Sequence, residues 1–144
     1  MRIFLAPMEG VIDHHFRTLY SAIGGVDICV SEFIRVNDVA VSKKVFLRDC
    51  PELQQASFHQ KRLSATPNGT PLRVQLLGSN PETIAASAVT AINLGASAID
   101  LNFGCPAKTV NKSRGGAVLL KEQQLVGEIV RQVRVAVPSE RPVT

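Results

Sequence analysis

An α/β fold built on a parallel sheet, either a (β/α)8 barrel or a doubly wound sheet, is predicted by three observations. Short apolar runs closed by polar or glycine residues recur at 3–6, 26–30, 72–77 and 98–101. Between them, apolar residues return at helical spacing, as at Ile84, Ala88 and Ile92. The residues richest in chemistry follow the strands, above all in Asp100-Leu101-Asn102-Phe103-Gly104-Cys105-Pro106.

The elements can be justified in order. Residues 3–6 are apolar and stopped by Pro7, as in a buried parallel strand. Asp13 is placed to cap a helix in which Phe16, Leu19, Tyr20 and Ile23 share one face, and Gly24-Gly25 ends it. Residues 26–30 form the second strand, closed by Ser31-Glu32, so the first three elements make a right-handed β-α-β unit. From Arg35 to Pro71 the pattern weakens. Residues 36–46 hold a helical turn or two, while Cys50-Pro51 and residues 57–70, with His59, Lys61 and Arg62, read as exposed loop. Pro67-Asn68-Gly69-Thr70-Pro71 is a turn cluster.

Residues 72–77 resume as a strand with Gly78 at the end. Asn80-Pro81-Glu82 then follows the rules for a helix start: a capping amide, proline at the first position and an acid in the first turn. That helix ends at Gly95, and 98–101 is the next strand. Lys108 to Gly116 reads as a loop, after which Leu125, Val126, Ile129, Val130 and Val133 mark a helix running to Pro138. Pro142-Val143-Thr144 begins a further strand. Four strands precede it, whereas a full barrel takes about 250 residues. The sequence is therefore expected to be roughly a first half.

Composition narrows the function classes. With 144 residues, 45% hydrophobic and 19% charged, the chain can build one core and is neither disordered nor a coiled coil. A net charge of +4 permits a nucleic-acid partner without requiring one. Cys29, Cys50 and Cys105 are odd in number and far apart, with no C-x-x-C pair. That argues against a disulfide framework or zinc site and for a reducing cytoplasm. No apolar run approaches the ~18 residues of a membrane span, and Met1-Arg2 leads straight into a strand rather than a signal peptide.

Cys105, between Gly104 and Pro106 and just past a strand, is placed for chemistry rather than packing. A thiol near its ordinary pKa of ~8.5 is mostly protonated at neutral pH, so it can donate a proton as well as attack. Asn102 can donate to and accept from a planar heterocycle, or simply stabilise the turn. Gln75, flanked by apolar residues, needs a partner in the core or in a ligand. Gly115-Gly116 beside Lys112 and Arg114 could approach a phosphate, although no Walker or dinucleotide fingerprint is present. Glu32 and Arg35 follow the second strand at the sheet's C-terminal mouth; Arg35 is either a solvated charge or an anion contact. His14 and His15, adjacent at a helix start, are expected to point apart and stay on the surface.

Three motifs in order, Leu5-Ala6-Pro7-Met8-Glu9-Gly10-Val11, Val74-Gln75-Leu76-Leu77-Gly78 and Asp100 to Pro106, resemble the tRNA-dihydrouridine synthases. Ser31-Glu32-Phe33-Ile34-Arg35-Val36 and the Met-Glu-Gly form of the first motif resemble most the C subfamily, which modifies uridine 16 of the D loop. The resemblance implies a TIM barrel followed by a small helical tRNA-binding domain, with residues 1–144 forming the barrel's N-terminal part, about four βα units. It implies FMN as cofactor and NADPH as reductant. Pro7, Met8 and Glu9 would line the flavin, Gln75 would hydrogen-bond its ring, and Asn102 would contact flavin or the flipped uracil. Hydride would pass from flavin N5 to uracil C6, with Cys105 giving a proton to C5. Arg35, Lys108, Lys112 and Arg114 would suit the tRNA backbone. A cytoplasmic protein, monomeric at full length and without metal, is implied.

The family's fifth-strand lysine, its later glycine-rich loops and its helical domain have no counterpart before Thr144. Residues 59–65 also read as an extra-long loop. Two competing readings follow: an FMN barrel acting on a free pyrimidine, and a non-catalytic, truncated RNA-binding piece. An open half barrel predicts self-association through its sheet edges.

Overall fold

The computed structural model describes residues 1–56 and 63–144; His59, Lys61 and Arg62 and most of the expected 59–65 loop lie outside them. Its strands are β1 (Phe4–Leu5), β2 (Ile28–Val30), β3 (Ile34–Arg35), β4 (Leu72–Leu77) and β5 (Ala98–Leu101). The helices are α1 (His14–Ile23), α2 (Lys43–Asp49), α3 (Pro81–Asn93), α4 (Lys108–Lys112) and α5 (Gln123–Ala136). Short 3-10 helices cover Pro51–Gln54 and Gly116–Lys121.

Every strand pairing is parallel. β1 pairs with β2, β2 with the start of β4 (Cys29 beside Leu72), and β3 with its end (Ile34 beside Leu76). β2 and β3 are thus one strand interrupted by Ser31-Glu32-Phe33, a break that the sequence pattern missed. β5 lies on the other side of β4, and Val143 pairs with Ile99 beyond it, as the Pro142-Val143-Thr144 signal predicts. The strands therefore stand across the sheet in chain order. A doubly wound sheet reverses direction about its first strand, whereas unbroken order is how a barrel grows. The fold is the N-terminal half of a (β/α)8 barrel.

Alternation along β4 sorts the two faces. Leu72, Val74 and Leu76 enter the core beneath the helices with Ile99, Ile84, Ala88, Ile92, Ile129 and Val133. Arg73 and Gln75 point the opposite way. The helix starts predicted from sequence are correct in detail. Asn80 Oδ1 accepts from the backbone N–H groups of Glu82 and Thr83, and Asp13 Oδ1 accepts from Phe16 N–H. After α3, Gly95 at φ 97° takes the left-handed turn that lets Ala96 N–H reach back to Ala91 O.

Several expectations are corrected. The apolar face of α1 is not buried: Leu19 is 55% and Ile23 73% exposed, while Arg17 and Ser21 face inward. Arg17 is tolerated there because Glu52 meets it in a bidentate pair at 2.8 and 3.1 Å, and Ile12 O takes a third hydrogen bond. Cys50 is no loop residue. It is fully buried, closing α2 and starting the 3-10 helix that carries Glu52 and the buried Leu53. β1 is only partly covered, with Phe4 43% exposed. His14 and His15 do not point apart; their ring centroids lie 3.8 Å from each other. The expected loop from Lys108 onward holds α4 instead.

Candidate active site

The C-terminal ends of the strands enclose a cleft of 460 Å³ lined by Pro7, Glu9, Phe33, Gln75, Leu101, Asn102, Phe103, Gly104, Cys105 and Pro106. That volume lies within the range of about 300–1,000 Å³ usual for small-molecule sites. Four separated stretches of sequence meet there, Phe33 coming from the break between β2 and β3. β1 delivers Pro7 and Glu9, β4 delivers Gln75, and β5 delivers Asn102 and the Cys105 loop. Met8 stands just outside the wall, 59% exposed, and its carbonyl accepts from the N–H groups of Val11 and Ile12.

Gln75 finds its partners in the protein. Its Nε2 donates to Asp100 Oδ2 at 2.6 Å, and its Oε1 accepts from Asn102 Nδ2 at 2.9 Å. Its backbone N–H is held by Ser31 Oγ at 3.0 Å. Asn102 in turn organises the loop: its Oδ1 accepts from the N–H groups of both Gly104 and Cys105 at 3.0 Å. The turn-forming and ligand-facing readings of Asn102 are therefore compatible. Asp100, which stands in the same motif, carried no role in the sequence reading. Its signal was available: like Gln75, it is a polar residue inside an apolar strand, and the two pair in register.

The glycine pair is closely packed by its neighbours. Gly115 and Gly116 are buried, and a side chain on Gly116 would sit 2.5 Å from Cys105 O and 3.0 Å from Cys105 Cβ. Ala117 N–H donates to Cys105 O at 2.9 Å. Gly116 is bare so that the Cys105 loop can lie against it, and Gly115 because Leu77 and Val110 crowd it.

None of the predicted cations lines the cleft, and Arg35 meets the segment that carries Lys112 and Arg114. Arg35 donates to Ser113 Oγ at 3.0 Å, and its guanidinium lies 5.9 Å from the centre of the Phe33 ring. This ties β3 to the segment after α4. Lys108 and Lys112, at the two ends of α4, are exposed. Arg114 is engaged by Glu122 at 2.5 Å. Glu32 Oε1 accepts from Val11 N–H at 3.2 Å, tying β1's loop to the break between β2 and β3. Among the described residues, no group of three His, Cys, Asp or Glu side chains could hold a metal ion, and no helix is long and apolar enough to cross a membrane.

The three cysteines differ in environment. Cys29 and Cys50 are fully buried, and Cys105 is partly open to the cleft. Burial pushes the Cys50 thiol up to about 12, against the opposing pull of Arg17. Burial likewise raises Cys29.

Comparison with known proteins gives this cleft its context. A tRNA-dihydrouridine(16) synthase of Shewanella oneidensis is 51% identical over the whole chain, which spans 44% of that protein's length. Proteins of the same description from Pseudomonas putida and Haemophilus influenzae are 55% and 49% identical, with 42% and 44% of their lengths matched. The chain thus spans less than half the length of these curated relatives. The family model described as dihydrouridine synthase matches residues 4–144, and the chain belongs to that family.

Proposed function

We propose that this chain is the N-terminal part of an enzyme that reduces a uridine in the tRNA D loop, U16, to 5,6-dihydrouridine, with FMN as cofactor and NADPH as reductant. The observation that carries the reading is the convergence of Cys105, Asn102 and Gln75 on one cleft at the strand ends. The relatives' shared description supports the substrate and the position.

The cleft's donor set fits an isoalloxazine ring. Its walls are largely apolar, with Pro7 and Phe33 among them, and two side-chain amides supply hydrogen-bonding capacity suited to a heterocycle edge. Pro7 and Glu9 would border the ring, with Met8 outside the wall, and Gln75 with Asn102 would hold its polar edge. When bound, FMN supplies a hydride, obtained from NADPH, to C6 of the uracil. Cys105 Sγ–H then gives its proton to C5, and the resulting thiolate recovers a proton from water. The C5=C6 bond becomes single, and two hydrogens are gained. Asn102 keeps the thiol in place by pinning the N–H groups of Gly104 and Cys105. The base must leave its stack to reach the cleft. Arg35, Lys108 and Lys112 would meet backbone phosphates; Arg114 would do so while shared with Glu122. The cytoplasm is the setting, and the remaining barrel strands and a helical domain would complete the flavin phosphate site and the tRNA grip.

The test uses the full-length protein. Cys105→Ala should keep bound flavin and its bleaching by NADPH while dihydrouridine formation falls about 10²–10⁴-fold, measured by mass spectrometry of tRNA nucleosides. Undiminished product would remove Cys105 from the mechanism. A full-length protein without flavin absorbance would overturn the cofactor assignment.

A further inference from the structure

A row of hydrogen bonds begins at the Asp100 carboxylate and ends at the Cys105 loop. Asp100 does not line the cleft. Its Oδ2 accepts from Gln75 Nε2, and its Oδ1 accepts from Thr144 Oγ1 at 2.7 Å. Thr144 Oγ1 itself receives a hydrogen bond from Arg73 Nη1 at 3.0 Å. The row runs Asp100, Gln75, Asn102, then the N–H groups of Gly104 and Cys105. A carboxylate only accepts, and backbone N–H groups only donate. With an acceptor fixed at one end and donors at the other, both amides between them must point the same way. Gln75 must turn Nε2 toward Asp100, and Asn102 must turn Nδ2 toward Gln75. Either amide reversed alone would set donor against donor or acceptor against acceptor.

What remains for a ligand follows by subtraction. Asn102 Oδ1 is filled by its two N–H donors, leaving one Nδ2 proton. Gln75 keeps one lone pair on Oε1 and one proton on Nε2. In order along the row these are donor, acceptor, donor. That is the complement of an imide edge, carbonyl–N–H–carbonyl, carried by pyrimidine-diones and by the pyrimidine side of an isoalloxazine.

We propose that Asp100 is a positioning residue that fixes the polarity of the Gln75–Asn102 amide pair from the end opposite the Gly104 and Cys105 N–H groups, and so favours an imide edge at the cleft. The proposal rests on the reading of the cleft as a flavin site. An amide in place of the Asp100 carboxylate can donate as well as accept, so the polarity of the row is no longer fixed from that end.

The test is FMN binding and flavin spectroscopy on the full-length protein. Asp100→Asn should weaken FMN binding about tenfold and shift the flavin absorbance bands, with the melting temperature nearly unchanged. The double variant Asp100→Asn/Gln75→Glu separates positioning from structure. The carboxylate it places on β4 accepts from both neighbours and repairs the row, but faces the ligand with acceptors only. Stability should match wild type while FMN binding stays weak. FMN affinity restored in the double variant, or unchanged affinity and spectrum in Asp100→Asn, would overturn the proposal. Should Asp100→Asn not fold, Thr144→Val frees the far carboxylate oxygen and should weaken FMN binding about threefold; wild-type binding there also overturns it. A wild-type protein that takes up no flavin defeats both this and the parent reading. Flavin bound equally by wild type and Asp100→Asn defeats this one alone.

Discussion

Three cysteines in one chain face two different fates. Cys50 lies fully buried, and that burial pushes its thiol up to about 12, so it stays protonated at pH 8. Brief native alkylation followed by peptide mapping should label Cys105 and leave Cys29 and Cys50 untouched until the protein is unfolded; comparable labelling of Cys50 would contradict its burial. The same shift has a signed consequence for stability. The folded value lies above the unfolded one, so the contribution is complete below pH 9 and disappears as pH rises toward 12. Unfolding midpoints measured across that window should fall, and Cys50→Ala should flatten part of the decline. Residue by residue, the sequence was most legible where a side chain broke a pattern. A cysteine between glycine and proline and an amide inside an apolar strand both marked themselves. Asp100 broke its strand's pattern in the same way, and its meaning emerged only with the register that sets it beside Gln75.

At the scale of elements, what could be read depended on whether a helix met its neighbours locally or at a distance. α3 was legible to its last turn because its cap, its apolar face and Gly95 are all consecutive in sequence. α1 was misread because its periodic apolar residues lie outward, and the residue that faces inward is Arg17, whose partner is 35 positions away. Nothing near Arg17 announces Glu52. Both side chains are almost wholly buried, at 0% and 5% exposure, so removing one partner leaves a charge without compensation. Glu52→Gln or Arg17→Met should destabilise the fold by about 3–5 kcal/mol in urea unfolding. The double change Arg17→Met/Glu52→Leu should recover most of that loss. A single variant as stable as wild type would show that the pair is solvated. The break between β2 and β3 escaped for a related reason: two strand segments share one side of β4, and only the pairing reveals that they are a single strand.

Across the whole molecule, the sheet grows in one direction from β1 to the pairing of Val143 beside β5. Among the described residues, neither outermost strand pairs on its far side. Ile3, Phe4, Leu19 and Ile23 add exposed apolar surface, Phe4 in β1 itself and Ile3 just before it. Unpaired parallel edges flanked by apolar side chains promote association. Residues 1–144 expressed alone should therefore run in sedimentation velocity as oligomers whose size grows with concentration. The full-length protein should run as a monomer. A sharply monomeric 144-residue chain would mean that these surfaces are better protected than they look. The fold class was visible from the alternation of strands and helices; the choice of barrel over doubly wound sheet required the strand order, which no local pattern encodes.

The bare turn at Gly115-Gly116 sits behind Cys105 rather than in the cleft, with a side chain on Gly116 excluded by the Cys105 carbonyl. The aim of the thiol is therefore governed from outside the cleft. Gly116→Ala would leave the thiol's chemistry intact while displacing it, at a position whose φ of 63° already disfavours a side chain. Such a variant should turn over more slowly, like a sound instrument knocked out of alignment.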